Sequence, residues 1–280
     1  MSVISIAIQK GGSGKTTTAV NLAAALHRSG KNVLLVDADP QCNLSQSLGV
    51  TTETTINLYT EYKKEITGRK SDLRTAVIET RSGLKLIPSS LELAMAELEL
   101  VGKFNREQTL RNKMLKPLVS EYDFIFIDCP PSFGLLTVNA LAASDYLLIP
   151  LQAEFLPLKG VQSFFELLNM MKDIPNLQLT VAGFVLTKFS SRKKLNQEIK
   201  ETLEKEFSAK VFNTYIRTDI RLAVAQKNGV DIFSWATGST GAEDYQALAN
   251  EFLEKVARPA VVEQQKEEPE FANEAIHSFQ

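Results

Sequence analysis

The chain has 280 residues, 44% of them hydrophobic and 23% charged, with 31 basic and 33 acidic side chains and a net charge of −2. This balance suits one large soluble α/β domain and excludes a globally basic nucleic-acid binder, so any polyanion must meet a local patch. No apolar run approaches the roughly 20 residues that cross a bilayer, and Cys42 and Cys129 give neither a metal-ligand spacing nor a disulfide framework, so a reducing cytoplasm is the simplest setting.

Val3–Ile8 is a short continuous apolar run, the pattern of a strand buried on both faces of a parallel sheet. The chain enters this strand at once, so no secretory leader is expected. Lys10 to Thr17 follows, reading KGGSGKTT, and then an amphipathic helical pattern over Thr16–Arg28 that ends near Gly30. The loop fits the phosphate-binding pattern G-x-x-x-x-G-K-[ST] through Gly14, Lys15 and Thr16. Gln9 occupies the leading glycine position, and Lys10 stands ahead of Gly11 and Gly12. The residue types suit the chemistry. Glycines let successive N–H groups, including those around Ser13 and Thr17, converge on phosphate oxygens. The helix N-terminus adds partial positive charge. Lys15 can reach the β and γ phosphates, and the Thr16 hydroxyl can ligate Mg²⁺. A bare G-K-[ST] reads equally well as an ordinary glycine turn; the flanking strand and helix and the second lysine favour the phosphate loop.

A second apolar strand, Asn32–Val36, delivers Asp37 and Asp39 in the segment VDADPQCN. Ligands of open α/β sheets lie beyond the carboxyl ends of the strands, so both aspartates are expected beside the phosphate loop. The plainer reading is a strand-end turn closed by Asp and Pro. Residues 50–80 read as short surface helices and loops, Leu84–Pro88 as a short strand, and Leu91–Val101 and Glu107–Leu118 as helices. Asp123–Asp128 (DFIFID) is a further buried strand ending in an acid. An aspartate there, facing a phosphate loop, is placed to hold Mg²⁺. Pro130 and Pro131 stop that strand. Thr137–Ala143 reads as a helix, Tyr146–Pro150 as a strand, Leu158–Met171 as an amphipathic helix and Leu179–Leu186 as a strand running into Thr187. Gly229 to Gly241 reads as a loop before the last helix, Ala242–Val256.

Lys188–Arg221 is the basic part of the chain, with nine bases against five acids. Pairs such as Glu201–Lys205 at i,i+4 describe a solvated helix face. The cluster outside that face is Arg192, Lys193, Lys194, Arg217 and Arg221. By charge alone, an ordinary surface and a phosphate-binding patch are equal readings. From Pro259 onward the composition turns acidic and poor in apolar residues, the signature of a flexible tail.

KGGSGKTT resembles the deviant Walker A box of the ParA/MinD family of P-loop ATPases, with Lys10 at that family's additional signature lysine. VDADPQCN resembles its switch I, DCPPS its switch II, and Leu151-Gln152-Ala153-Glu154 the segment after the fourth buried strand. The likeness covers about residues 1–257, leaving 258–280 as the tail. It implies a mostly parallel, doubly wound α/β sheet with helices on both faces, and a weak Mg²⁺-dependent ATPase. Nucleotide would be held by Lys10, Gly11, Gly12, Ser13, Gly14, Lys15, Thr16 and Thr17, with Thr187 near the base. Mg²⁺ would be held by Thr16, Asp37 and Asp128. Lys10, Lys15 and Asp39 would be catalytic, Asp39 by positioning the hydrolytic water. TKFSSR and IRLAVAQ resemble the segments through which small ParA proteins bind non-specific DNA, and Arg192 and Arg221 fall on those positions. Asp219 and Arg217 depart from the usual Pro-Arg-Asn-Val-Arg. The resemblance implies an ATP-bound homodimer on DNA, released on hydrolysis stimulated by a ParB-like partner, in a nucleoid-associated cytoplasmic setting without a membrane partner. A MinD-like role in positioning a protein or membrane-associated assembly is the alternative. An iron–sulfur carrier or a metabolic ligase of the same superfamily suits the cysteines and the basic segment less well.

Overall fold

The computed structural model describes residues 1–51, 54–153, 158–171, 174, 179–207 and 210–257. Glu154 and the acidic stretch 258–280 lie outside the described residues. Seven strands form one sheet: β1 (Ser2–Ile6), β2 (Val33–Asp37), β3 (Ile78–Glu79), β4 (Lys85–Ile87), β5 (Phe124–Asp128), β6 (Tyr146–Gln152) and β7 (Thr180–Thr187). Their order is β3-β4-β2-β5-β1-β6-β7, and every neighbouring pair is parallel except β3–β4.

The strands are apolar without alternation because helices cover both faces. Phe124 and Phe126 of β5 point into one core, and Ile125 and Ile127 into the other. The first core is closed by α1 (Lys15–Arg28), α8 (Ile220–Lys227), the short α9 (Ile232–Trp235) and α10 (Thr240–Ala257). The second is closed by α3 (Leu58–Ile66), α4 (Leu93–Leu100), α5 (Leu135–Ala143), α6 (Leu158–Met170) and α7 (Lys194–Phe207). A further short helix, α2 (Asn43–Ser47), follows β2.

Three stretches differ from the sequence expectation, the first being 229–241, expected as a loop but holding α9. The helix expected over 107–118 is instead a 3₁₀ turn, Arg106–Gln108, followed by a π-helical turn, Leu110–Leu115. Pro117 lacks the N–H that would carry a helix onward, and the Leu110 N–H is drawn out of the segment to Asn139 Oδ1 at 3.1 Å. The region 50–80 contributes to the fold rather than lying on it. Asn57 and Thr60 form a reciprocal cap on α3, which buries Leu58, Glu61 and Tyr62. Its last residues form β3, the antiparallel edge of the sheet.

Phe252 of α10 lies fully buried, with its ring centroid 5.7 Å from those of both Phe124 and Phe126. Phe252→Ala leaves a cavity beneath α10 and is expected to cost about 3–5 kcal/mol. Chemical denaturation, comparing midpoints at unchanged slope, measures it.

Candidate nucleotide site

The parallel register fixes the site. Ile6 at the end of β1 pairs with Asp128 at the end of β5, and Asp128 pairs with Asp37 at the end of β2. The glycine loop leaves β1 beside these acids. Gly14 caps α1 with φ 92°, and a Cβ there would lie 3.3 Å from the Thr187 methyl, so the loop turns tightly against the end of β7. Thr187 Oγ1 donates to the Ser13 carbonyl at 2.8 Å, tying loop to strand.

Thr16 Oγ1 donates to Asp128 Oδ2 at 2.7 Å. Asp128 is 1% exposed, and its Oδ1 is buried without a hydrogen-bond partner. Burial, with Asp37 and Asp39 adding repulsion, raises its pKa well above the carboxylate range against the pull of Thr16 and Lys15. Lys15 is 7% exposed, and burial lowers its pKa against the attraction of Asp128, Cys129 and Asp39. Its Nζ donates to the Lys10 carbonyl at 3.0 Å. A buried carboxylate with an unpartnered oxygen beside a hydroxyl suits a hydrated divalent cation, so Thr16 and Asp128 fit Mg²⁺.

Asp37 and Asp39 part company. Asp39 lines the cleft, and its Oδ1 accepts from the Gln41 N–H at 2.9 Å. Asp37 sits behind it, fully buried. Its Oδ2 accepts from the Ser45 N–H at 2.8 Å and Oγ at 2.6 Å, and its Oδ1 from the Asp39 N–H at 3.3 Å. Asp37 therefore fastens α2 to the sheet, and the Thr16 hydroxyl turns to Asp128 instead.

A cleft of about 510 Å³ opens over the loop. It is lined by Gly11, Gly12, Gly14, Lys15, Thr16, Thr17, Asp39 and Asn43 and by Thr187, Lys188, Ile216–Ile220, Leu222 and Ala223. Ile216, Leu222 and Ala223 offer apolar contact to a base, and the loop residues suit phosphates. Lys188 holds φ at 49°, a left-handed conformation costly for a lysine, at the cleft rim. Lys10 is half-buried at the loop entrance, and the Ser13 side chain is turned inward.

The two basic segments run side by side: the Phe189 N–H donates to the Ile216 carbonyl at 3.0 Å, and Phe189 bridges Arg217. Arg192 and Lys193 are exposed before α7, and Lys194 is exposed at its first position, 3.6 Å from Glu198. Arg217 is turned to α10, held by Asp244 at 2.7 Å and Glu243 at 3.1 Å. Arg221 lies on Asp219 at 2.8 Å, in the first turn of α8. Asp219 is nearly buried, yet hydrogen bonds from Arg221, Gly241 and Thr240 outweigh that burial and hold its pKa well below the usual range. Among the cleft residues, Asn43, Tyr245 and Gln226 carried no isolated signal in the sequence; the fold brings them in from α2, α10 and α8.

A family profile described as an AAA domain matches residues 1–181. The chromosome partitioning protein ParA of Myxococcus xanthus is 40% identical over 253 residues, covering 90% of this chain and 88% of that protein. The chain belongs to the ParA/Soj family of P-loop ATPases. The chromosome-partitioning ATPase Soj of Treponema pallidum is 40% identical over 245 residues, 88% of this chain and 94% of its own. Among solved structures, cobyrinic acid a,c-diamide synthase from Mycobacterium smegmatis with bound ADP and magnesium superposes with a TM-score of 0.76 at 30% identity. That match covers 89% of this chain and 93% of the other. ParA/Soj membership agrees with the mostly parallel sheet. No helix among the described residues is long and apolar enough to cross a membrane.

Burial raises Asp37 to about 7 against the hydrogen bonds of Ser45 and Asp39. Its unfolded value is near 3.9, so the folded protein holds the extra proton between these limits and stability falls as pH rises from about 4 to 7. Asp37→Asn is expected to remove up to about 1.4 kcal/mol per pH unit of that slope, leaving the part due to Asp128. Nucleotide-free thermal unfolding across this range checks it.

Proposed function

We propose that residues 1–257 form an ATP- and Mg²⁺-dependent partition ATPase that binds DNA without sequence preference as an ATP-bound dimer. The supporting observation is one cleft lined both by Lys15, Thr16 and Asp39 and by the segment that carries Arg217 and leads into Arg221. A nucleotide with phosphates on the loop would reach the elements that carry the basic patch. The relatives named for chromosome partitioning support the partition role, and the solved structure holding ADP and magnesium supports the nucleotide and the metal.

The loop N–H groups and Lys15 hold the phosphates, with the α1 N-terminus directed at them. Thr16 and Asp128 would hold Mg²⁺, which would supply charge neutralisation at the phosphate oxygens. Asp39, at the cleft wall, orients the attacking water. Lys10 at the loop entrance reaches the phosphates of a facing subunit, where its charge offsets repulsion between the two nucleotides. Arg192, Lys193 and Lys194 present the exposed part of the DNA patch. Arg221 lies alongside with its charge partly matched by Asp219, and Arg217 supports the cleft wall from α10. Two patches on one rigid dimer bind with avidity. Hydrolysis, stimulated by a ParB-like partner, withdraws the γ-phosphate and releases the dimer.

Random duplex DNA titrated with ATP, with ADP and without nucleotide, at two salt concentrations, tests the reading. Binding confined to ATP and weakened by salt is the expected result. Absence of binding in every state would turn the reading toward a MinD-like positioning ATPase. Separately, Asp39→Ala is expected to retain ATP binding while turnover falls about 100-fold or more. Single-turnover hydrolysis beside nucleotide affinity measures this, and unchanged turnover would remove Asp39 from its role.

A further inference from the structure

Helix α8 carries Arg221 in its first turn and is fixed at both ends. At its start, the Asp219 carboxylate accepts from the Arg221 N–H at 2.9 Å and, across the chain, from Thr240 Oγ1 and the Gly241 N–H, both at 2.9 Å. At its end, Gly229 meets Gly49 backbone to backbone. Both have positive φ, and a Cβ on Gly229 would lie 2.6 Å from the Gly49 Cα. Gly49 follows α2, the helix that Asp37 fastens beside Asp39. Just beyond, the Ile232 N–H donates to Asn21 Oδ1 of α1 at 2.8 Å in the buried core.

Between these fixed ends, Gln226 lines the cleft and its Nε2 donates to Thr17 Oγ1 at 3.1 Å. Thr17 belongs to the phosphate loop, 209 residues away in sequence. A threonine hydroxyl accepts and donates at once. With its oxygen accepting from Gln226, its proton is available to a phosphate oxygen in the cleft. Hydrogen bonds in such a chain strengthen one another, so phosphate on the loop tightens the Gln226 bond and with it the seat of α8.

We propose that Gln226 is the positioning residue that couples nucleotide occupancy of the phosphate loop to the DNA affinity of α8, through Thr17. This rests on the DNA-binding reading above and names the contact that makes it nucleotide-dependent. Gln226 supplies the link to the loop, and the Gly49–Gly229 joint supplies the link to α2, which Asp37 holds beside Asp39. Because coupling is reciprocal, DNA must strengthen nucleotide binding by the same factor that nucleotide strengthens DNA binding, and loss of Gln226 must diminish both.

The experiment compares the full chain with Gln226→Leu, Gln226→Glu and Asn228→Ala. Duplex DNA affinity is titrated with and without a non-hydrolysable ATP analogue, and analogue affinity with and without DNA. Couplings of this kind usually span about 5- to 150-fold. Both Gln226 variants are expected to reduce the wild-type ratio at least fivefold, by the same factor in the two titrations. Asn228→Ala, which removes a 2.7 Å bond to the Val224 carbonyl at the same helix end without touching Thr17, is expected to keep it. Thermal melting confirms that each variant is folded. A wild-type ratio retained in folded Gln226→Leu or Gln226→Glu, or an equal loss in Asn228→Ala, overturns the proposal. A wild-type chain that binds no DNA in any state overturns the partition reading itself, and this inference with it.

Discussion

The site depends on one buried contact, the Thr16 hydroxyl on the Asp128 carboxylate. It joins the first residues of α1 to the end of β5, and so sets the phosphate loop against the strand that neighbours both β1 and β2. The contact has an electrostatic cost. Asp128, Asp37 and Lys15 are all drawn out of water, and two acids lie side by side in the sheet register. Such a cluster persists because a ligand's charge completes it. Phosphates on the loop would face Lys15, and a divalent cation would face Asp128. The carboxyl edge of the sheet therefore gathers ionisable groups whose charged forms burial disfavours, and a ligand's opposite charges would restore them.

Much of this was legible in the chain. Continuous apolar runs at β1, β2, β5, β6 and β7 announced strands buried on both sides, and KGGSGKTT, VDADP and DCPPS named their own places at the strand ends. What escaped was set by tertiary structure. Nothing local distinguishes Asp37 from Asp39, since both follow one strand. Only the fold shows that Ser45, arriving on α2, claims the first and leaves the second in the cleft wall. The region 50–80 looked like surface because its apolar residues are few, yet Asn57 and Thr60 cap a helix that buries Tyr62. The helix expected at 107–118 yielded to Pro117 and to Asn139, an acceptor contributed from α5.

The basic segment shows the same limit. Counting charges treats Arg192, Arg217 and Arg221 alike, but their surroundings differ. Arg217 is bidentate to Asp244 and stabilises the packing of α10 against the cleft. Arg221 is matched by the acid that caps its own helix. Arg192 stands exposed on the turn before α7. Charge counted along a sequence measures supply; only the pairing found in the structure shows what is available to a polyanion.

The antiparallel strand β3 has a further consequence. An open sheet ends in unpaired backbone groups, and a long flat edge invites other chains to extend it. Here the last strand on that side has two residues, runs against its neighbour, and carries a Glu79–Lys85 ion pair across the pair. An outer strand so short and charged gives an incoming strand little to continue. Association of copies through this sheet margin is thereby disfavoured, and with it the irreversible route of strand-on-strand aggregation.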